Sequence, residues 1–114
     1  MSDAAAVRRQ LKIKTAAVQR LSKETKVYNE ETSELETKLN KLKEKGNDAE
    51  EWDIKNATKM VEESKKMIVD ATTRLGKAAE DLQALITSAK EEFGLPIDDE
   101  ELINAEKAVQ QATA

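Results

Sequence analysis

Apolar residues recur along the first 45 residues at alternating steps of four and three. The positions are 7, 11, 14, 18, 21, 25, 28, 32, 35, 39 and 42, and eight of the eleven carry Val7, Leu11, Val18, Leu21, Tyr28, Leu35, Leu39 and Leu42. Lys14, Thr25 and Thr32 are the exceptions. A sustained repeat of about 3.5 residues keeps one narrow seam turned toward a partner helix. The spacing predicts a first helix over about 4–45, closed by Gly46 as its left-handed terminal residue. A second seam follows through Ile54, Ala57, Val61, Ser64, Ile68, Ala71, Leu75, Ala78, Leu82, Leu85 and Ala89. Asp48 with Glu51 reads as a capping box, which predicts a second helix over about 49–93. Gly76 lies inside it at a cost of about 1 kcal/mol.

The two seams fit one antiparallel register. Folding the chain back at Gly46 opposes Leu42 to Ile54, Leu39 to Ala57 and Leu35 to Val61, pairs whose numbers add to 96. The same sum continues through Tyr28–Ile68, Leu21–Leu75, Leu11–Leu85 and Val7–Ala89. Thr32 then meets Ser64 in a polar layer able to fix the register. Lys14 faces Leu82 and has to lay its stem along apolar surface with its ammonium in water. After Gly94-Leu95-Pro96, Asp98 as cap and Glu101 as its N3 partner predict a third helix over about 99–112. Its stripe of Leu102, Ala105, Val109 and Ala112 meets Ala89, Ile86, Leu82 and Ala79 when folded onto the second helix.

The expected fold is therefore all-α. It is an up-down-up three-helix bundle of two long antiparallel coiled-coil helices plus a short third helix, forming a single domain over 1–114. At 1.5 Å per residue the hairpin spans about 60 Å and the third helix about 20 Å. The hairpin toward Gly46 is thus expected to stay a bare two-helix rod.

Composition narrows the chemistry. The chain holds 114 residues with no Cys, no His, three Gly and 3% aromatics. Without Cys there is no disulfide framework or thiol nucleophile. Without His the commonest general base and metal ligand is missing. No glycine-rich phosphate loop is present, and no Ser sits in a Gly-x-Ser-x-Gly turn. The carboxylates lie on solvated helix faces with no cleft to split their pKa values. No enzyme activity, no metal site and no cofactor are expected. The run Asp98–Glu101 lacks calcium-loop spacing, and acids at that place suit a helix N-terminus. No stretch approaches the roughly 20 apolar residues of a membrane span, and the start lacks the apolar core of a signal peptide. The expected location is cytoplasmic.

The net charge of −4 is unevenly spread. Residues 1–27 carry Arg8, Arg9, Lys12, Lys14, Arg20, Lys23 and Lys26 against only Asp3 and Glu24. The third helix would bring its acidic start beside Arg8, Arg9 and Lys12. Neither aromatic stacking nor a groove-shaped element accompanies the basic stretch, so nucleic acid is not an expected partner. A second signal is apolar surface off the seam. Ile13 and Val27 fall at outward c positions and Met60 and Met67 at flanking g positions, all leaning to one side together with Ala17. Trp52 lies near the tip. Either the methionines fold over the seam, or this side faces a partner, which a second copy of the chain would also satisfy.

Two blocks of residues carry a family resemblance. Arg9-Gln10-Leu11-Lys12-Ile13-Lys14-Thr15, followed by Arg20-Leu21-x-Lys23-Glu24, resembles the opening of the tubulin-specific chaperone A (tubulin-folding cofactor A) family. Trp52-Asp53-Ile54-Lys55, Glu63-Ser64-x-x-Met67-Ile68-x-Asp70 and Arg74-Leu75 resemble a second block of the same family. Val69 stands where the family usually has Pro, and Trp52 where it usually has Tyr; the last 30 residues carry no alignable motif. The resemblance implies a three-helix bundle without ATPase activity. It also implies a tubulin-folding cofactor that binds β-tubulin folding intermediates after release from the cytosolic chaperonin and passes them toward αβ-heterodimer assembly. β-Tubulin is then the partner, other tubulin-folding cofactors are further partners, and the setting is the cytosol and cytoskeleton, with the chain a monomer or weak homodimer. The contact residues expected on the outer surface are Lys12, Ile13, Arg20, Val27, Trp52, Lys55, Met60, Met67 and Arg74. The competing reading is a structural coiled-coil adaptor that binds itself or another helical protein.

Overall fold

The computed structural model describes residues 2–46 and 49–113. Three α-helices run along them: α1 Ser2–Glu44, α2 Glu51–Glu91 and α3 Glu100–Thr113. No strand occurs among the described residues. The chain divides into two compact units, Met1–Lys23 with Thr73–Ala114, and Glu24–Thr72.

In the first unit α1, α2 and α3 close around one core. Val7, Leu11, Val18, Leu21, Leu75, Leu82, Ile86, Ala89, Leu95, Leu102, Ala105 and Ala108 pack together. Leu11, Val18, Leu82 and Leu102 are wholly buried. Contacts at two heights fix the directions. Arg8 near the start of α1 holds Asp99 at the start of α3, and Gln19, Ser22 and Lys23 further along α1 border a hollow with Ala108 and Gln111, so α3 runs with α1. Lys90 near the end of α2 meets Glu106 at 3.4 Å, and Gly76 and Ala79 earlier in α2 border a hollow with Val109 and Ala112, so α3 runs against α2. Lys14 reaches across to Asp81 at 3.8 Å between the antiparallel α1 and α2. The up-down-up order follows. Lys14 behaves as its seam position requires: its side chain is half-buried and its ammonium finds a carboxylate at the rim.

The second unit contains only α1 and α2. Thr32, Leu39, Val61, Ser64 and Ala71 are buried there, whereas Tyr28, Leu35, Leu42, Ile54, Ala57 and Ile68 stay half-buried. Two helices cover each other along one line and leave the seam's edges wet, so the same heptad buries less where no third helix adds a wall. Thr32 and Ser64 hydrogen-bond across the seam, in the register derived from the sequence. Thr32 Oγ1 also donates its proton to the Tyr28 carbonyl at 2.8 Å, which leaves Ser64 as donor in the cross-seam bond. Glu36 and Lys65 pair at 3.8 Å along one flank.

The helix ends differ from the sequence reading in detail. Gly46 takes φ 59° and Gly94 φ 60°, the left-handed conformation that stops α1 and turns the chain after α2. α2 starts at Glu51 rather than near 49, and its first turn closes with the Ile54 amide donating to the Glu50 carbonyl. Asp48, expected as its cap, lies outside the described residues. The cap of α3 is Asp99, not Asp98. Asp99 Oδ1 accepts from the amides of Glu101 at 3.0 Å and Leu102 at 3.2 Å. The turn through Pro96 moves the cap by one residue, because its carbonyl accepts from the Asp99 amide at 3.0 Å. The buried stripe of α3 is Leu102, Ala105 and Ala108, with Val109 and Ala112 half-buried. The expected stripe considered α2 alone, but α3 also packs on α1, where Ala108 borders a hollow with Gln19, Ser22, Lys23 and Gln111.

Candidate functional site

The nine candidate contact residues all lie at the surface. In the first unit these are Lys12, Ile13, Arg20 and Arg74. Ile13 occupies a c position and is 55% exposed, a large apolar side chain with no place in the core. Lys12 borders a polar groove of about 480 Å³ between α1 and α3, with Thr15, Ala16, Gln19, Glu100, Glu101 and Asn104. The acidic start of α3 therefore does approach the basic start of α1. Arg74 is exposed and engaged within the chain.

Within the second unit the candidates are Val27, Trp52, Lys55, Met60 and Met67. Trp52 is the most exposed of its apolar members at 68%, in the first turn of α2. Met60 and Met67 are each about half exposed, so neither folds fully over the seam. The Asn56 side-chain amide donates to the Met60 sulfur at 3.9 Å. Lys55 pairs with Glu51 one turn earlier at 3.3 Å, both side chains standing in solvent. Such exposed pairs contribute little to stability and exchange easily with a partner's charges. Val69, at the position where Pro was expected from the resemblance, is 67% exposed, and α2 runs unbroken through it.

Electrostatics divides the basic side chains of α1 into two groups. Arg8 Nε lies 2.6 Å from Asp99 Oδ2, whose side chain is only 8% exposed. Burial alone raises the Asp99 pKa. The Arg8 hydrogen bond, the amides of Leu102 and Glu101 and the Arg8 charge outweigh it and hold the carboxyl below its ordinary 3.8. Lys14 has Asp81, and Lys12 lines one groove with Glu100 and Glu101. Arg9, Arg20, Lys23 and Lys26 are exposed and make no ion pair with a described residue.

Several surface features escaped the sequence reading. Phe93, Ile97 and Ile103 are exposed around the α2–α3 turn, Ile97 at 83%. Ile97 follows Pro96 in a turn, a place where no periodicity predicts burial. Thr15 is 6% exposed with its hydroxyl unpaired. Its e position beside the seam is the flank that α3 covers. No group of His, Cys, Asp or Glu able to hold a metal occurs among the described residues. No described helix is long and apolar enough to cross a membrane. Exposed apolar and cationic side chains along long helices suit the described surface to binding a macromolecule.

Comparison with known proteins agrees with this picture. Residues 6–109 match the family model for tubulin binding cofactor A. Tubulin-specific chaperone A of Homo sapiens is 40% identical over 83 residues, covering 73% of this chain and 75% of that protein. Tubulin-folding cofactor A of Arabidopsis thaliana is 35% identical over 83 residues, covering 73% and 72%. The crystal structure of tubulin folding cofactor A from Arabidopsis thaliana superposes with a TM-score of 0.86 at 30% identity, over 96% of this chain and 97% of the other. Human tubulin chaperone cofactor A superposes with a TM-score of 0.77 at 33% identity, over 95% and 99%. With the family match running from the first turns of α1 into α3, and with solved cofactors sharing nearly its whole length, the chain belongs to the tubulin binding cofactor A family.

Proposed function

We propose that this protein is a tubulin-folding cofactor that binds and stabilises β-tubulin folding intermediates after their release from the chaperonin. It then passes them toward αβ-heterodimer assembly. The observation that carries the reading is the near-complete superposition on solved tubulin cofactors. The surface supports it. A holding chaperone needs exposed apolar side chains on elements rigid enough to keep them presented, and Ile13, Val27, Trp52, Met60 and Met67 meet that requirement. Methionine adapts its shape to irregular partners, which suits a client that is not yet native. The exposed cations, Lys12, Arg20 and Arg74 in the first unit and Lys55 in the second, would set orientation more than affinity. Each unit offers its own contact surface, and the cofactor acts in the cytosol by binding, without turnover.

The test uses labelled β-tubulin released from chaperonin in the presence of the purified full chain, followed by native electrophoresis. A β-tubulin complex that forms with the wild-type chain is the expected result. Equal capture of α-tubulin would refute the β-tubulin assignment, and no capture of either would refute the chaperone reading. Sedimentation provides the control for the adaptor reading: a concentration-dependent dimer that hides Met60 and Met67, with no tubulin bound, would favour it.

A further inference from the structure

We infer that the outward strip of α1 formed by Arg9, Ile13, Ala16, Arg20 and Lys23 docks an acidic amphipathic helix of the client. The inference rests on the tubulin-folding reading and names the partner chemistry of its first surface. The five residues step by four, three, four and three, the spacing of a helix-packing seam, yet they lie at c and f positions on the side of α1 away from its own seam. All five are exposed, and Ile13 keeps 55% of its surface in water.

Charge identifies the occupant. The same stretch of α1 contains two cations that the chain satisfies itself, Arg8 with Asp99 at 2.6 Å and Lys14 with Asp81 at 3.8 Å, while Lys12 lines one groove with Glu100 and Glu101. Arg9, Arg20 and Lys23 have no such partner among the described residues. They bracket the exposed Ile13 side chain and the small Ala16. Arg9 and Arg20 stand eleven residues apart, about 16 Å along the axis. The complement is a helix with carboxylates about three turns apart and two apolar side chains between them, packing on Ile13 and Ala16. A straight strip of period about 3.5 fits a helix rather than an extended segment. The apolar centre separates it from a surface for anionic polymers, which would use the cations alone.

The experiment measures β-tubulin capture by the full chain. Replacing the three cations together (Arg9→Gln, Arg20→Gln, Lys23→Gln) is expected to weaken capture about 10- to 100-fold at low salt and far less at high salt. Ile13→Gln is expected to weaken it about 10-fold at both salts. Lys107→Gln, an exposed cation on α3, should change nothing. A photo-crosslinking residue placed at Ala16 in the otherwise wild-type chain should mark a client peptide with the stated carboxylate spacing. Capture unchanged in the triple variant overturns the inference and leaves the chaperone reading standing. Loss with the cations but not with Ile13→Gln also overturns it, as does a crosslink to a second copy of this chain or to a segment without that spacing. No capture by the wild-type chain removes the chaperone reading and the inference together.

Discussion

The layer where Thr32 meets Ser64 makes a sharp prediction about how this fold keeps its register. Both residues are buried, Thr32 at 4% exposure and Ser64 at 8%. Thr32 spends its only proton on the Tyr28 carbonyl, so Ser64 donates across the seam. Ser64→Ala removes that donor and leaves an acceptor on Thr32 unused, a loss of about 1 kcal/mol. Thr32→Val is worse. It keeps the shape but strands the Ser64 hydroxyl in a dry layer, at a cost of about 1–3 kcal/mol. Making both changes replaces a satisfied polar pair with two apolar groups of similar shape. That exchange is near neutral, so the double variant should return to within about 0.5 kcal/mol of wild type. The single changes thus fail to add, with a coupling of about 2–4 kcal/mol. Urea unfolding followed by circular dichroism measures it, with the m-value checked for constancy across the four proteins. Additive losses in the double variant would refute the reasoning, because they would mean that each hydroxyl is held by something other than the partner.

Further outcomes follow from the same geometry. Leu11→Ala empties a wholly buried site and should cost about 2–5 kcal/mol. Ile13→Ala, two residues on but exposed, should stay within about 0.5 kcal/mol in thermal melts. Asp99→Ala removes the α3 cap and the Arg8 contact together and should cost about 1–2 kcal/mol. Because the folded Asp99 pKa lies below 3.8, its contribution is present above that pH and disappears as pH falls through the folded value. An acid titration of Asp99→Asn should therefore lack that part of the wild-type stability loss. Gly76→Ala should stabilise α2 by about 1 kcal/mol, since an added Cβ meets nothing within 4 Å and the helical backbone suits it. Gly94→Ala should destabilise instead, because its φ of 60° disfavours any side chain.

The long helices were legible because their packing is periodic. A repeat sustained over eleven positions predicts a seam, and one constant pairing sum joins two seams into a hairpin, as the Thr32–Ser64 bond shows. What escaped was aperiodic. Leu95 is buried in a turn, where its amide donates to the Ala89 carbonyl at 3.0 Å after the left-handed Gly94. Nothing in its spacing marks it as core. Asp98 and Asp99 are chemically the same candidate for a cap. Only the reach of Arg8 and the turn at Pro96 decide between them, and both depend on where α3 lands. Ala108 was missed for a related reason: a helix in the groove between two others buries a wider arc than one laid on a single neighbour.

The proposed binding surface was legible only in part, and the cause is physical. Burial imposes a period on a sequence because every turn must present an apolar side chain to the same wall. A contact surface carries no such requirement along the chain, since its constraint comes from the partner. Ile13, Met60 and Met67 could be found as apolar residues at positions that a solvated coiled coil fills with polar ones. The cations could not be sorted that way. In the sequence, seven basic side chains near the start of α1 are equivalent. The structure separates them by assigning Asp99 to Arg8 and Asp81 to Lys14. It leaves Arg9, Arg20 and Lys23 on one exposed strip without an acid of their own. Surface function in a helical bundle is thus read by subtraction: first the charges that the fold consumes, then those that remain for a partner.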